Sequence, residues 1–543
     1  MSGVFQVKAQ CLPFREIPHS SRLFTDFLSW SPPIRPFYSR PPQFAEWIKD
    51  EAQGLRYDNS RRERVAAILE RQNEGWGASS LTQQKIARFR AGAVAIVTGQ
   101  QVGLFGGPAF AIFKALTAIK LAEQASAAGI ECVPVFWLAT IDHDLEEINH
   151  VKVPGGEGVL CNVSTASQGV LDAPVGRVTL GPEIEAVVNS AAELLGDTEA
   201  SSYLRESYRA GENLGSAFAR LFTRLFADWG VILLDTSDPE LHAIASPIYV
   251  GAVDRVRELN DGLLARGEEL ERSGYHQQVK VTPSSTLLFA LHEGARVAVH
   301  RDSSGEDFSF AQEKLSRSDL LQRIESSPGD FTPNVLLRPV IQDYLLPTLA
   351  YVGGSAEIAY FAQVDIIYRA LLGRTTPAIP RFSATLVEPR AQSLLERYGL
   401  GLKDIFHGPE LLREELARRT LPQDLQAAFE RAEATLKDSM SSISRELSRL
   451  DKTLVESAEN AGSKIRHQLE QLRARAARAE LRQSEVLARH ANLLSNTLYP
   501  NKTLQEREVA GIYFVSRYGR EFLGELYDGI HTDCLDHQVI YTS

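Results

Sequence analysis

The sequence has few cysteines, no long apolar run and no excess of positive charge. Its four cysteines, Cys11, Cys132, Cys161 and Cys534, are far apart and form no Cys-x-x-Cys pair. A cysteine zinc site and a disulfide framework are therefore disfavoured, and we expect buried or partly buried free thiols. No apolar run approaches the roughly 20 residues that a membrane helix requires. The N-terminal stretch lacks an apolar segment followed by a small-residue cleavage site, which predicts a cytoplasmic protein without a membrane partner.

The charge balance argues against nucleic acid as a partner. The 543 residues carry a formal net charge of −11, whereas nucleic-acid binding needs clustered lysine and arginine. A small basic pocket for a phosphate stays compatible with this charge. Hydrophobic residues make up 44% and charged residues 23% of the chain, which is typical of globular proteins. The length allows three or four domains, or one large α/β core with insertions.

A βαβ unit is predicted near residue 93. The apolar runs Ala93–Val97 and Cys132–Ala139 are typical of buried strands. The glycine-rich loop Thr98–Pro108 and a helical pattern over Ala109–Ala128 lie between them, and such a crossover implies a parallel sheet. A further strand is predicted at Val231–Leu234. The fold class is therefore α/β, with a doubly wound, Rossmann-like core.

The rest of the chain divides into regions that differ in composition and hydrophobic periodicity. We assign residues 1–400 to the core, with insertions near 151–230 and 270–330. The second insertion contains a predicted hairpin around Lys280–Arg301, whose turn is His292-Glu293-Gly294.

Residues 401–500 form a predicted helical coiled-coil domain, because apolar residues recur there in steps of three and four. The pattern fits one long helix or two antiparallel helices with a break near Asp451. In either form, the apolar stripe must be buried against itself, the core or another subunit. The segment 501–543 is expected to return to the core.

The glycine-rich loop is the strongest candidate for ligand binding. Free N–H groups and the dipole of the following helix favour an anion there. The spacing matches neither G-x-G-x-x-G nor Walker A, so the loop predicts a phosphate, a carboxylate or another polar ligand without naming a cofactor. A tight structural turn is the alternative. The candidate residues are Thr98, Gly99, Gln100, Gln101, Gly103, Gly107 and, in the helix, Lys114.

Asp142, His143 and Asp144 follow the second predicted strand, at the same edge of the sheet as the glycine-rich loop. Because open α/β sheets bind ligands at this edge, we expect the two clusters to be neighbours. A histidine between two carboxylates suits a general base, a cation contact or a metal ligand. The alternative is a helix N-cap formed by Asp142 or Asp144. We take all three as catalytic candidates and predict no tightly bound metal.

Two later segments carry further polar residues. An arginine can hold a carboxylate or phosphate bidentately, an adjacent amide and carboxylate could orient a sugar or amine, and a Gly-Gly turn marks a tight loop. For each charged residue, a surface or structural ion pair is the alternative. The candidates are Arg338, Gln342, Asp343, Gly354, Glu357, Arg381 and Ser383.

Five strings, in this order, resemble one known family. They are TGQQVGLFGGPAFAIFKALTAIKLA, PVFWLATIDHDLEEINHV, RPVIQDYLLPTLAYVGGSAEIAYFAQV, IPRFSATLVEP and, after the helical region, LYPNKTLQERE. Together they cover about residues 93–510 and resemble the BshC family of bacillithiol biosynthesis, the cysteine ligases. The resemblance implies a Rossmann-like core similar to nucleotidylyl transferases and class I aminoacyl-tRNA synthetases, connecting-peptide insertions, and a coiled coil that supports a homodimer.

The reaction that the resemblance implies joins the carboxyl of cysteine to the amine of glucosaminyl malate, in the last step of bacillithiol synthesis. Activating a free carboxylate implies ATP or another nucleotide, with which Mg is compatible. The HIGH and KMSKS signatures of the synthetases are absent, so the motifs do not name the nucleotide. The alternatives are another nucleotide-dependent transferase on the same core and a non-catalytic assembly factor built around the coiled coil.

The mechanism that follows from this resemblance seats the activated carboxyl or a phosphate on the glycine-rich loop. His143, oriented by Asp142 or Asp144, accepts a proton from the attacking amine. Arg338 holds the malate carboxylates. Asn149, in the second string, is a further candidate for substrate binding.

Overall fold

Strands and helices alternate through most of the chain, and a long helical region follows. The computed structural model describes residues 8–166, 172–483 and 485–542. The strands are β1 (Lys8–Leu12), β2 (Val94–Gln100), β3 (Cys132–Leu138), β4 (His150–Pro154), β5 (Leu160–Ser164), β6 (Ile232–Asp235), β7 (Ser285–His292), β8 (Ala295–Arg301), β9 (Asp307–Phe310), β10 (Glu313–Ser316), β11 (Phe331–Pro333), β12 (Thr348–Gly353), β13 (Ala378–Pro380), β14 (Ala384–Val387) and β15 (His537–Tyr541). The α-helices are α1 (Arg22–Leu28), α2 (Ile48–Gly54), α3 (Asn59–Gly75), α4 (Ser80–Arg90), α5 (Phe110–Ala127), α6 (Leu145–Ile148), α7 (Ile184–Leu195), α8 (Glu199–Ser207), α9 (Leu214–Leu225), α10 (Pro239–Asp254), α11 (Val256–Arg272), α12 (Arg317–Ser326), α13 (Arg338–Leu345), α14 (Ser355–Leu372), α15 (Pro389–Tyr398), α16 (Leu402–Ile405), α17 (Pro409–Arg419), α18 (Gln423–Leu450), α19 (Leu454–Gln483), α20 (Glu485–Leu498), α21 (Gln505–Glu508), α22 (Gly511–Tyr518) and α23 (Phe522–Gly529).

Two compact units make up the described chain. The first comprises the chain up to Pro154, Leu160–Thr385 and Glu506–Ile540. The second comprises Gly155–Val159, Leu386–Gln505 and the residues from Tyr541 onward.

A parallel sheet forms the centre of the first unit. Its order is β13-β12-β2-β3-β6, and each neighbouring pair is parallel. All of β3 is buried, since helices cover a parallel sheet and leave its strands apolar throughout. Ile96, Val352 and Ile379, from three neighbouring strands, pack with Leu121 of α5 and Ile48 of α2. This arrangement confirms the predicted α/β, Rossmann-like core.

The strand order reverses between β2 and β12. From β2 the chain moves outward to β3 and β6, and it then returns to β12 and β13 on the other side of β2. Ligands of open α/β sheets bind at such a switch point, outside the carboxyl ends of the strands. The topology therefore places the site where β2 and β12 end.

The insertion between β6 and β12 builds a second, antiparallel sheet of order β10-β9-β8-β7-β11. The predicted hairpin is confirmed, because β7 and β8 pair antiparallel from His292↔Ala295 outward. Its turn residues Glu293 and Gly294 both have positive φ angles, of 51° and 85°, as two-residue hairpin turns require. The hairpin therefore has a tight turn of two residues.

The second unit contains a helical hairpin. The long helices α18 and α19 are separated by a break at Asp451, whose carboxylate accepts a hydrogen bond from Thr453 N (2.8 Å). Arg473 pairs with Glu433 (3.6 Å) across the two helices, which run antiparallel. Of the two arrangements that the sequence allowed, the structure has the hairpin. Ile443, Leu450, Ile465 and Leu472 are exposed on it.

One sequence-based expectation about the cysteines is wrong. Cys11 and Cys534 are joined by a disulfide, whereas Cys132 and Cys161 are free. The sequence could not reveal this pair, because 523 residues separate its members and chain topology alone brings them together. In the described part of the chain, no helix is long and apolar enough to cross a membrane.

Candidate active site

A cavity of about 710 Å³ lies in the first unit, at the carboxyl ends of the parallel strands. Its wall includes Gly99 and Gln100 from the end of β2, Gly354 from the end of β12 and the loop after β3. The inserted sheet supplies the opposite, more apolar wall, with Leu287 and Phe289. The position is the one expected for a switch-point site.

A partly buried carboxylate, Glu357, lines the cavity between a lysine and a backbone N–H group. Lys114 Nζ is 2.5 Å from Glu357 Oε2, Gly354 N donates to the same oxygen (2.7 Å), and the Tyr351 hydroxyl donates to the other oxygen. Lys114 also donates to Gly99 O (2.7 Å) and Gln100 Oε1 (3.0 Å). Lys114 thus ties β2 to the start of α14. We call Lys114, Tyr351, Gly354 and Glu357 the Glu357 cluster.

Burial and charge set the ionisation of this cluster. Burial lowers the pKa of Lys114, and the Glu357 charge opposes that effect. Burial alone would raise the pKa of Glu357, but Lys114 and the Gly354 N–H group hold it below its usual range. We therefore treat the two side chains as an ion pair.

Besides Arg296, which is described below, three arginines line the cavity. Arg338 donates to Gln342 Oε1 (3.1 Å) and to the hydroxyls of Tyr360 (2.6 Å) and Tyr351 (3.3 Å). Burial alone would lower the pKa of Arg338, but Tyr360, Tyr351 and Glu357 raise it, so this cation is fixed. Arg507 donates to Ser355 Oγ (3.0 Å).

Arg381 is the third of these arginines. Its Nη2 donates to Glu506 Oε1 (2.6 Å) and its Nη1 to Phe382 O (2.8 Å). Its Nε is buried without a hydrogen-bond partner among the described residues. A buried donor left without a partner is costly, and this one belongs to a residue of the cavity wall.

The four cationic side chains Lys114, Arg338, Arg381 and Arg507 are accompanied by two carboxylates, Glu357 and Glu506. The positive charges of this group exceed the negative charges by two, and all of its members except the exposed Arg507 are buried or partly buried, where unpaired charge is expensive. We call these four cations and two carboxylates the cationic floor. Its charge suits a ligand with two negative charges.

A second polar group of residues lies on the loop after β3. Gln101 Nε2 donates to Asp142 Oδ2 (2.9 Å), and His143 N donates to Asp142 Oδ1 (2.8 Å). Arg296 Nη1 lies 2.9 Å from His143 Nδ1. Burial alone would raise the pKa of Asp142, but His143, Gln101 and Arg296 lower it below its usual range. The structure thus brings the glycine-rich loop and the Asp142–His143 pair together, as predicted.

Asp144 has the position that the alternative interpretation gave it. Its carboxylate accepts from Glu147 N (3.1 Å) and caps α6. Glu147, by contrast, belongs to the cavity wall. Burial raises the pKa of Glu147, and Asp144 and Asp142 add to that effect while Gln101 opposes it.

The glycine-rich loop is divided in its roles. Gly99, Gln100 and Gln101 line the cavity. A Cβ at Gly99 would lie 3.0 Å from Trp137 O, so the close approach of β2 and β3 requires glycine there. In contrast, Gly103 N donates to Gln101 O (2.9 Å) and Gly107 N to Leu104 O (2.9 Å). The second half of the loop is therefore a tight turn, in which the N–H groups of Gly103 and Gly107 bind carbonyls of the loop itself.

The N-terminus of the following helix is also covered. Ala109 N donates to Val509 O (2.9 Å), and Gly511 N donates to Gly107 O (3.0 Å). The helix start therefore packs against the chain around residue 510 instead of facing a ligand. An anion in this cavity would meet side-chain cations rather than the N-terminus of α5.

The remaining candidates do not belong to the cavity wall, although Gln342 accepts a hydrogen bond from Arg338, which does. Thr98 Oγ1 donates to Val352 O (2.9 Å) and joins β2 to β12. Asn149 Oδ1 contacts His150 Nδ1 (3.2 Å). Gln342 Nε2 donates to Asp343 Oδ1 (2.9 Å), and the Tyr368 hydroxyl donates to Asp343 Oδ2. These residues therefore stabilise the structure around the site.

Ser383 belongs to a closed group around Glu506. Glu506 accepts from Ser383 Oγ (2.9 Å), Ala384 N (3.0 Å) and Arg381 Nη2 (2.6 Å). Ser383 Oγ also contacts His537 Nδ1 (2.8 Å), and Thr385 Oγ1 contacts His537 Nε2 (2.8 Å). Burial lowers the pKa of His537 to about 4. We call Arg381, Ser383, Ala384, Glu506 and His537 the Glu506 cluster.

Sequence reasoning missed several residues of the cavity wall. They include Trp137, Arg296, Tyr360 and Arg507. Trp137 lies in a predicted strand, and its indole N–H is buried without a partner among the described residues. Arg296 lies in the predicted hairpin, and Arg507 lies within the last of the five strings. The signal for Arg507 was therefore present, while nothing in the hairpin pattern distinguished Arg296.

The structure places no group of three or more His, Cys, Asp or Glu in a geometry that suits a metal ion, within the ranges that it describes. The cationic floor fits phosphate or carboxylate instead.

Comparison with known proteins identifies the family. The family described as Bacillithiol biosynthesis BshC, N-terminal Rossmann-like domain, matches residues 7–382. The C-terminal coiled-coil domain of the same family matches residues 384–542.

Three curated relatives are each named "Putative cysteine ligase BshC". The protein of Koribacter versatilis is 47% identical and covers 98% of this chain and 99% of its own length. That of Solibacter usitatus is 36% identical with the same coverage, and that of Salinibacter ruber is 35% identical over 95% and 96%. These matches confirm the resemblance and the ligase class drawn from the sequence. The chain therefore belongs to the BshC family of bacillithiol biosynthesis.

Proposed function

We propose that the chain joins the carboxyl of cysteine to the amine of glucosaminyl malate, the last step of bacillithiol biosynthesis. The relatives' name supplies the cysteine and the ligase chemistry. The cationic floor is the observation that supports glucosaminyl malate as the second substrate. Its excess of two positive charges matches the two carboxylates of a malate group, and Arg338 presents a planar guanidinium that suits a carboxylate.

We place the two substrates at different parts of the cavity wall. The malate carboxylates lie on Arg338, Arg381 and Arg507. The amine and the cysteine carboxyl then lie toward the loop after β3, where Gln101, Asp142 and His143 offer donors and acceptors. This orientation brings the nucleophile and the carboxyl together at the switch point, which is the entropic part of catalysis.

The carboxyl must be activated before it can react. A nucleoside triphosphate, with Mg²⁺ as its companion, is the class of co-substrate that forms a phosphorylated or adenylylated carboxyl. The amine nitrogen then bonds to the carboxyl carbon, the bond from that carbon to the phosphate-bearing oxygen breaks, and one amine proton leaves to a base. We assign Gly99, Gln100 and Gln101 to the activated carboxyl and the Asp142–His143 pair to the reacting centre.

The helical hairpin supports the dimer part of the proposal. Ile443, Leu450, Ile465 and Leu472 are exposed apolar side chains on α18 and α19, and an apolar stripe of this kind favours a partner helix. We propose a cytoplasmic homodimer through this hairpin. Sedimentation velocity of the intact protein and of an Ile443→Glu/Leu472→Glu variant tests it, with a shift to monomer expected in the variant.

Thiol profiling by mass spectrometry tests the reaction. In a strain without this gene, the cysteinylated product should disappear and glucosaminyl malate should accumulate. The wild-type gene should restore the product, and His143→Ala at normal protein level should not. Unchanged thiols in the deletion strain would contradict the proposed function. A purified chain that consumes ATP with a different acceptor would indicate another transferase on the same core.

A further inference from the structure

Arg296 comes from the inserted hairpin, yet it contacts the loop of the Rossmann-like core that carries His143. Its side chain is only 7% exposed. The guanidinium carbon lies 4.0 Å from the centre of the Phe289 ring. Nε donates to Thr332 Oγ1 (2.9 Å) and Nη2 to Pro333 O. Several contacts therefore fix the guanidinium, and turning away would leave buried donors unpaired.

The fixed guanidinium decides which nitrogen of His143 carries the proton. Arg296 Nη1 and His143 Nδ1 are 2.9 Å apart. Because a guanidinium only donates, His143 Nδ1 must accept, and the proton of the neutral ring is on Nε2. Asp142 Oδ1 is 3.5 Å from Nδ1, which is too far for a good hydrogen bond, and it accepts instead from the His143 backbone N–H (2.8 Å).

We infer that Arg296 is a positioning residue that holds His143 in the Nε2–H form, so that His143 donates a hydrogen bond to the reacting carboxyl instead of accepting the amine proton. This inference rests on the proposed ligase function and replaces the base role that the sequence suggested for His143. It makes the inserted hairpin part of the catalytic machinery, because Arg296 belongs to β8.

A donor at this position has a clear task in amide formation. Negative charge develops on the carboxyl oxygen as the amine attacks, and an oriented N–H group stabilises that charge. The amine proton then requires a different acceptor. Glu147 belongs to the same cavity wall, where burial raises its pKa, and a carboxylate in this position is suited to accept a proton.

Nitrogen NMR of the intact protein labelled with ¹⁵N-histidine tests the tautomer directly. His143→Asn identifies the His143 signals among the 12 histidines. In the wild type we expect a protonated Nε2 and an unprotonated Nδ1, and in Arg296→Met we expect this preference to be lost. A protonated Nδ1 in the wild type, or an unchanged ratio in Arg296→Met, would overturn the inference.

Kinetics test the consequence for catalysis. Arg296→Met should lower kcat by about 10- to 100-fold with little change in KM, as the loss of an orienting partner typically does. Arg296→Lys, which keeps a cationic donor, should recover part of the rate. His143→Gln should retain more activity than His143→Asn, because the glutamine amide reaches the position of Nε2. Equal loss in both histidine variants, or a loss in KM alone for Arg296→Met, would contradict the donor role.

The same insertion offers a matched control. Arg323 lies 5.3 Å from the centre of the Phe310 ring and donates to Glu313 Oε2 (2.6 Å). Like Arg296 it contacts an aromatic ring, but its side chain is more exposed (32% against 7%) and lies outside the cavity wall. Arg323→Met should keep the rate within about threefold and leave the His143 signals unchanged.

The two tests separate the two proposals. The NMR measurement needs no substrate. If the chain makes no product while the tautomer is as expected, the proposed function fails. If product forms while Nδ1 is protonated, only the role of Arg296 fails.

Discussion

Two carboxylates, the partly buried Glu357 and the buried Glu506, have nearly the same kinds of partner and lie in different surroundings. Each accepts from a cation, a backbone N–H group and a hydroxyl. The Glu357 side chain is 19% exposed, toward the cavity, and its partner Lys114 is 4% exposed. The Glu506 side chain is 1% exposed and its partner Arg381 is 6% exposed.

Because the two ion pairs differ in solvent exposure, we assign them different roles although their chemistry is similar. An ion pair beside a cavity can exchange its partners with a ligand, and its charge sets what the cavity accepts. An ion pair closed to solvent has nothing to exchange, and its removal leaves unpaired groups in the core. We therefore assign ligand binding to the Glu357 cluster and folding to the Glu506 cluster, with Arg381 as a member of the second that also lines the cavity. Variants of the two clusters and of the loop after β3 test this assignment.

The largest effect is expected from Glu506→Ala. The substitution leaves the Arg381 guanidinium, Ser383 hydroxyl and Ala384 N–H without an acceptor, and removing one partner of a buried pair costs about 3–5 kcal/mol of the free energy of unfolding. Urea denaturation followed by fluorescence measures it. Glu506→Gln should lose less, because its amide oxygen still accepts. A Glu506→Ala protein as stable as the wild type would show that the cluster does not hold the fold.

His537 adds a pH dependence to the closed cluster. Its pKa is lowered to about 4 in the folded state from an ordinary 6.5, so the unfolded chain binds the proton more readily. Its contribution to the free energy of unfolding is complete above pH 6.5 and is lost as the pH falls toward 4, by up to about 3 kcal/mol.

Unfolding at several pH values measures this slope in wild type and His537→Asn. The variant should show a shallower decline between pH 6.5 and 4 than the wild type. His276, which is exposed, offers the control His276→Asn, which should keep the wild-type slope. The same slope in all three proteins would rule out His537 as its source.

The double variant Lys114→Met/Glu357→Met tests the open cluster. Replacing both members of a buried pair by apolar residues is often neutral for stability, whereas the ties to Gly99 and Gln100 are lost. We expect a folded protein whose rate of product formation falls about 10- to 100-fold. Circular dichroism and mass-spectrometric product assays measure the two effects. Full activity in the double variant would show that this ion pair does not contribute to the reaction.

The smallest effect is expected from Asp144→Asn. Asparagine caps helices about as well as aspartate, so both stability and the rate of product formation should stay within about twofold of the wild type. Asp142→Asn, two residues earlier, should reduce the rate more, because Asp142 contacts His143 and Gln101. An equally large loss in Asp144→Asn would restore Asp144 as a catalytic candidate.

Local pattern and sheet geometry predicted much of the fold and part of the site. Apolar runs identified β2 and β3, and the rule that ligands lie at the carboxyl ends of strands correctly predicted that Gln101 and Asp142 are neighbours. The second half of the glycine-rich loop behaves differently because its N–H groups have partners within the loop. Composition cannot show such pairing, since a ligand loop and a tight turn use the same glycines.

The residues that the sequence did not predict are those that the tertiary fold brings together from distant positions in the chain. Arg296 reaches His143 from 153 positions away, and Glu506 reaches Arg381 from 125 positions away. Neither has a local spacing that marks it. The Cys11–Cys534 disulfide is the extreme case of the same limit, because only the topology of the first unit brings its two ends together.

The decisive measurement is calorimetric titration of glucosaminyl malate into Arg338→Met and His537→Asn, at a temperature where both variants are folded. We expect Arg338→Met to weaken binding about 10- to 100-fold, the usual cost of losing a charge-assisted hydrogen bond. His537→Asn, which changes the Glu506 cluster without changing the charge of the cationic floor, should bind within about threefold of the wild type. Wild-type affinity in Arg338→Met, or equal weakening in both variants, would contradict the division between a site that binds ligand and a cluster that holds the fold.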